Sequence, residues 1–219
     1  MDKLYAVLGF FQSGGLFMYP IAFILALGVA IAIERYIYLS VAENRNRKVW
    51  KQVVPLVEQG HVERAWELVL GSNSVMSQVL GYGLQCAQSP SSKDAVQRAM
   101  EEGALEFLPR LEKRTHYLAT FANVATLLGL LGTIMGLTEA FSTLSDVGSG
   151  DRAQVLSASI SLAMNTTAFG LMVAIPMLLV HAYMQTKVTQ VLDGLQMASI
   201  KLPKMLDVEL KSLDISHDS

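Results

Sequence analysis

Three stretches of this sequence carry no charge for long enough to cross a lipid bilayer, and that constraint leaves few folds open. Leu16 to Ile33 is eighteen residues without Asp, Glu, Lys or Arg, closed by Glu34 and Arg35. That length is just within the range a transmembrane helix needs. Tyr117 to Thr138 is uncharged for twenty-two residues, about 33 Å as a helix against a hydrocarbon core of about 30 Å. The third stretch lies between Arg152 and His181 and is apolar from about Ala158 to Val180. Pro176 lies inside it, where proline is expected to kink or loosen the helix near its inner end. The fold class expected is all-α: an integral membrane protein with three transmembrane helices and a large helical cytoplasmic segment.

A cleaved signal sequence is the alternative for the first stretch. It would need a basic start and a short apolar core. Here the start carries Asp2 and Lys3, the apolar run begins late, and Ala30-Ile31-Ala32 is a weak cleavage match. The run therefore reads as a retained span.

Orientation follows from where the basic residues fall. Arg35, Arg45, Arg47, Lys48, Lys51, Arg64, Lys93, Arg98, Arg110, Lys113 and Arg114 separate the first two spans, and Lys187, Lys201, Lys204 and Lys211 follow the third. Those fifteen face only Lys3 and Arg152 on the other side, so the positive-inside rule puts the amino terminus and the second connection outside. Residues 1–33 then form an external N-terminus and the first span, and 34–116 a cytoplasmic helical segment. Residues 117–183 hold the second and third spans with a short external connection, and 184–219 a cytoplasmic C-terminal helix and tail.

The inner segment is expected to be helical. Trp50, Val53, Val54 and Val57, then Val62, Ala65, Trp66 and Val69, fall at helical spacing, with breaks at Gly60 and at Gly71-Ser72-Asn73. Ser74 to Gln88 and Ser92 to Arg114 continue the pattern. Ser91 or Ser92 is the expected cap of the last helix, which is expected to run on into the second span with Pro109 as a kink.

With 52% hydrophobic residues, 16% charged and a net charge of −2, the chain has no basic excess for a nucleic-acid backbone. Cys86 is the sole cysteine and has no partner for an intrachain disulfide. His61, His116, His181 and His217 are scattered without ligand-like spacing, so neither a metal nor a cofactor is expected. No nucleophile, base and oxyanion set is visible, and the chain is not expected to be an enzyme.

The spans themselves carry the informative residues. On the second, Ala122, Thr126, Gly129, Thr133, Gly136 and Ala140 recur at steps of four and three and share one helical face. Ser159, Ala163, Thr167, Gly170 and Ala174 make a similar stripe on the third, with Asn165 and Thr166 beside it. In lipid such stripes let helices approach closely, so helix packing is expected of Gly129, Gly132, Gly136, Gly170 and Ala174, with Pro176 grouped beside them. Hydroxyls both donate and accept, so Thr133 and Thr167 either stabilise that packing or line a hydrated path. Thr126, Asn165 and Thr166 are the second candidates. Glu139, one turn beyond Gly136, is either an entrance charge for cations or an interfacial charge.

Gly129-Leu130-Leu131-Gly132-Thr133-Ile134-Met135-Gly136, followed by Asn165-Thr166-Thr167-Ala168-Phe169-Gly170-Leu171-Met172-Val173-Ala174-Ile175-Pro176, resembles the paired membrane signature of the ExbB/TolQ/MotA proton-channel family. Glu34-Arg35 at the end of the first span is also similar to the family's. The order and placement are nearest the three-span ExbB/TolQ branch. The resemblance implies an ion-conducting, proton-selective subunit of a motor in the bacterial inner membrane that couples the ion motive force to work at the cell envelope. It implies a homopentamer around a single-span ExbD/TolR-like protein with an intramembrane aspartate, with a TonB/TolA-like protein as a further candidate partner. Thr133 and Thr167 match the two threonines that the family places near that aspartate. Leu162 stands where the ExbB/TolQ branch carries a glutamate. A flagellar stator-like or sodium-driven subunit and a non-conducting membrane scaffold are the alternatives; a small-solute transporter fits poorly, since no inverted repeat is visible.

The orientation is checked by reporter fusions. A fusion after Leu144 is expected to read external and fusions near Gly71 or Ser212 internal; a cytoplasmic signal at Leu144 would overturn the three-span reading.

Overall fold

The computed structural model describes residues 15–87, 92–144 and 152–217. Ser91, the N-terminal segment before Gly15 and the connection at residues 145–151 lie outside the described residues. Six helices follow one another: α1 (Met18–Glu58), α2 (Val62–Leu70), α3 (Val75–Ala87), α4 (Lys93–Glu112), α5 (Thr115–Thr143) and α6 (Arg152–His217). Among the described residues there is no strand, and three helical stretches are long and apolar enough to cross a membrane. The all-α membrane fold expected from the sequence is the fold observed.

The chain divides into two compact units, and α1 and α6 supply residues to both. The first holds residues 15–34, which include the start of α1, with Arg114–Tyr183. Its buried cluster is small: Ile21 from α1, Ala122 and Ala125 from α5, and Val173, Ala174 and Met177 from α6. Its outward surface is apolar, with Phe23, Leu127, Leu130, Ile134, Leu171 and Leu179 exposed. In water that surface would be a liability. In hydrocarbon it is the expected exterior.

The second unit, Arg35–Lys113 with Met184–Ser219, is built like a soluble helical domain. Val53, Val57, Ala65, Val69, Leu80, Leu84, Met100, Phe107, Leu195 and Leu202 form one buried cluster. The breaks fall where the sequence placed them. α1 ends at Glu58, and Gly60 takes φ +80, which suits a residue without a Cβ. α3 is capped twice over. Ser74 and Ser77 exchange side-chain and backbone bonds at 3.0 Å, and the Asn46 side-chain oxygen of α1 accepts from the Met76 amide, also at 3.0 Å. Three of the four orphan amides of that helix, those of Ser74, Met76 and Ser77, are so satisfied inside the core. Ser92 caps α4 by accepting from the Ala95 amide at 3.3 Å. Lys187 of α6 pairs with Glu43 of α1 at 2.6 Å.

One expectation is corrected. α4 does run through Pro109, but it does not continue into the second span. It ends at Glu112; Lys113 turns to φ −45, ψ 130, Arg114 takes the left-handed φ 63, ψ −10, and α5 begins afresh at Thr115. A positive φ on a residue with a Cβ costs about 1–2 kcal/mol, so something must hold it. In the first unit the Arg114 guanidinium meets both carboxylate oxygens of Glu34, at 2.7 and 2.8 Å. In the second unit Arg35, only 3% exposed, donates to the carbonyl of Leu111 in the last turn of α4 and lies 4.9 Å over the Tyr38 ring. A cation at a helix C-terminus satisfies an orphan carbonyl and opposes the helix dipole.

Two glycines of the second unit should respond in opposite directions. A methyl on Gly194, inside α6, would meet nothing within 4 Å, so Gly194→Ala should stabilise by about 0.5–1 kcal/mol through backbone entropy. A methyl on Gly83 would fall 2.5 Å from the Met100 sulfur and 3.2 Å from Leu202, and Gly83→Ala should destabilise by about 1–3 kcal/mol. The thermal midpoint of the purified protein in mild detergent reads both.

Candidate functional site

The candidate site lies in the first unit, on the seam where α5 and α6 meet, and glycine makes that seam possible. A methyl on Gly170 would lie 2.7 Å from the Ala125 carbonyl oxygen and 3.1 Å from the Gly129 Cα. A methyl on Gly129 would lie 3.2 Å from the Thr167 Cα and 3.3 Å from the Thr166 carbonyl oxygen. These neighbours are backbone atoms and cannot swing aside. Further along, Gly132 receives the Thr166 methyl and Gly136 faces Ala163. Close approach through small residues is how helices associate where the surroundings are as apolar as the side chains.

The buried edge of α5 is Leu118, Ala122, Ala125, Gly129, Gly132, Gly136 and Ala140. It is rotated slightly from the stripe read in the sequence, with Ala125 and Gly132 taking places assigned to Thr126 and Thr133. On the facing part of α6 the buried positions include Ala163, Thr166, Gly170, Val173 and Ala174, with Thr166 deeper than Thr167. The rotation follows from the Gly170 contact, which draws Ala125 to the centre of the seam.

That small rotation leaves Thr133 and Thr167 half-buried and opposite each other. Their hydroxyls are in direct contact. Thr167 also donates to the Gly129 carbonyl at 2.8 Å, and Thr133 Oγ1 lies 3.3 Å from the same oxygen and 3.5 Å from the Ala163 carbonyl. Each hydroxyl has one proton. With Thr167 giving its proton to Gly129 and Thr133 giving its own to Thr167, the Thr133 oxygen keeps lone pairs to accept from a further donor. Such a pair can hold water or a protonated carboxyl but does not itself titrate near neutral pH.

The other candidates do not join it. Thr126 is exposed and donates to the Ala122 carbonyl at 3.0 Å. Thr166, 2% exposed, fills the notch at Gly132 and donates to the Leu162 carbonyl at 3.0 Å. Asn165 is half-buried beside the seam. Ala174 belongs to the buried cluster, whereas Pro176 is exposed and α6 stays helical through it. Glu139 is exposed at the rim of a cavity of about 400 Å³, whose walls include Gly132, Gly136, Thr138, Leu162 and Thr166.

The sequence reading missed Arg114 as the partner of Glu34 and Leu111 as the acceptor for Arg35. Both contacts span more than seventy residues, and no local pattern announces them. The ending of the uncharged first stretch on a Glu-Arg pair was the available signal.

A bundle of apolar helices packed through glycine, with paired hydroxyls in spans that hold no Asp, Glu, Lys, Arg or His, defines a multi-pass membrane protein built around a polar intramembrane contact. Comparison with known proteins narrows that class. The sequence profile of the MotA/TolQ/ExbB proton channel family matches residues 71–197. The chain is 30% identical over 170 residues to the putative biopolymer transport protein ExbB-like 3 of Synechocystis sp., covering 77% of this chain and 80% of that protein. It is 26% identical over 192 residues to a putative ExbB homolog of Methanothermobacter thermautotrophicus, covering 87% and 67%. It is also 31% identical over 107 residues to the Tol-Pal system protein TolQ of Haemophilus influenzae, covering 47% and 46%. The chain belongs to the MotA/TolQ/ExbB proton channel family. It is an ExbB/TolQ-type multi-pass inner-membrane subunit of an energy-transducing system.

The seam is testable at its tightest point. Gly170→Val should lower the thermal midpoint in detergent by the equivalent of about 1–3 kcal/mol, because the helices must part to admit the side chain. Ile175→Val, on an exposed part of α6, should leave the midpoint unchanged.

Proposed function

We propose that this chain conducts ions, with the proton as the ion carried, in a motor that couples the ion motive force to work at the cell envelope. In this reading five copies surround a single-span ExbD/TolR-like partner that carries an intramembrane aspartate, and a TonB/TolA-like protein receives the work. The amino terminus lies outside, and residues 34–116 and 184–219 lie in the cytoplasm, consistent with the division of basic residues. Relatives named for ExbB and TolQ support the assignment of partners.

The observation that carries the reading is the contact between the Thr133 and Thr167 hydroxyls in spans without Asp, Glu, Lys, Arg or His. Moving a proton through hydrocarbon needs a group that binds and releases it, and an intramembrane ionisable side chain costs about 2.5–3.5 kcal/mol by insertion scales. This chain does not bear that cost. Its hydroxyl pair offers lone pairs to which a protonated carboxyl from another helix can donate, orienting the acid for proton release on one side and capture on the other. Glu139 at the rim of its cavity is the candidate entrance charge, with Thr166 on the cavity wall and Asn165 and Thr126 nearby along the helices. The membrane potential supplies about 2.3 kcal/mol per charge per 100 mV.

Ion flux into liposomes, measured with and without the single-span partner, tests this. Protein alone should not conduct at a physiological rate. With the partner, Thr133→Val or Thr167→Val should cut flux about two- to tenfold, the equivalent of about 0.5–1.5 kcal/mol for a neutral hydrogen bond, while assembly persists. Robust flux without the partner, retained when both threonines are valine, would overturn the proposal.

A further inference from the structure

We propose that one face of α5, running from His116 through Asn123 and Thr126 to Thr133, lines a water-filled inner half of the ion path. The inference rests on the conducting reading above and adds the route between the threonine pair and the cytoplasmic side.

Positions 116, 119, 123, 126, 130 and 133 succeed one another at steps of three, four, three, four and three, so they share one face of the helix. It is the face next to the buried seam. His116, Asn123, Thr126 and Leu130 are exposed, and Ala119 and Thr133 are half-buried. The face is thus uncovered within the first unit, although it carries an imidazole, an amide and two hydroxyls.

Asn123 decides what can cover it. It is the seventh residue of the uncharged stretch that opens at Tyr117, about 9 Å along the helix from that residue. An asparagine side chain is too short to reach the interface from there. Its amide has two donors and an acceptor, and it makes no hydrogen bond within the described chain. Leaving it against lipid would cost several kcal/mol, so a polar residue at such a depth belongs beside water or a polar partner.

Water fits better than a dry helix contact. The dry seam between α5 and α6 is made by glycine, alanine and a threonine methyl, with backbones almost touching. The Asn123 face instead carries larger polar groups. Thr126 gives its proton to the Ala122 carbonyl, which leaves lone pairs facing outward. The face also ends on Thr133, which holds the hydroxyl contact. A file of water held by the Asn123 amide and the Thr126 oxygen would connect that contact to the inner end of α5.

Cysteine accessibility in the assembled complex tests this directly. Cys86 is the sole cysteine; in a Cys86→Ser background, Asn123→Cys, Thr126→Cys and Val124→Cys are made singly in the full chain with its single-span partner. Inside-out vesicles are treated with 2-aminoethyl methanethiosulfonate, which reacts with the thiolate, a species that forms in water and not in a dry contact. Asn123→Cys and Thr126→Cys should each be modified at least about ten times faster than Val124→Cys, which lies about 100° around the helix at the same depth. If both stripe cysteines are silent, or react no faster than Val124→Cys, the face is dry and the proposal falls. Two reporters guard against one substitution failing to assemble. Flux through the unsubstituted complex is read separately, so absent flux with labelled cysteines would discard the conducting reading while the hydrated face stood.

Discussion

The first unit depends on the backbone contact between Gly170 and Ala125-Gly129. Lipid gives no hydrophobic reward for bringing two apolar helices together, so association must come from packing and from polar bonds that lipid cannot replace. Glycine permits the approach, and the approach in turn places the Gly129 carbonyl where the Thr167 hydroxyl can reach it. The hydroxyl contact between Thr133 and Thr167 is thus a product of the seam rather than an addition to it. Packing and the proposed ion path, which the sequence presented as competing readings of these threonines, would use the same geometry.

Much of this was legible in the sequence because membrane helices obey a simple rule. Uncharged runs gave the three spans, helical spacing gave Val53, Val57, Ala65 and Val69 their place in the core, and Gly60 and Gly71 marked real breaks. Spacing also brought Thr133 and Thr167 forward as a pair. What it could not give was rotation. Positions 125 and 126, or 132 and 133, differ by 100° about the axis, and small residues at all four left the period satisfied by either register. The Gly170 contact chose between them, and contacts of that kind lie outside any one-dimensional pattern. Asn123 was overlooked for the same reason: its polarity is plain in the sequence, but its exposure depends on which edge of α5 is buried.

The junction between α4 and α5 is a second case. Nothing in Glu112-Lys113-Arg114-Thr115 resembles a helix stop, since neither glycine nor proline is present. The chain turns there because Glu34 holds Arg114, and Arg35 meets the end of α4 at Leu111. An ion pair between half-exposed groups contributes only about 0–1 kcal/mol in water, which offsets at most part of the cost of a left-handed arginine. Its worth lies in choosing where the turn falls.

The buried cluster of the second unit has a consequence for how the protein is made. Val53, Leu80, Leu84 and Met100 come early in the chain, but the same core requires Leu195, Ala198 and Leu202, which are synthesised only after both of the later spans. Domains generally fold as they emerge from the ribosome, N-terminal part first. Here residues 35–113 must wait with that core incomplete while two more membrane helices are made, and the tail of α6 then closes it. Completion of this core therefore follows synthesis of the last span, and a chain that stops short of Leu195 would leave the core open.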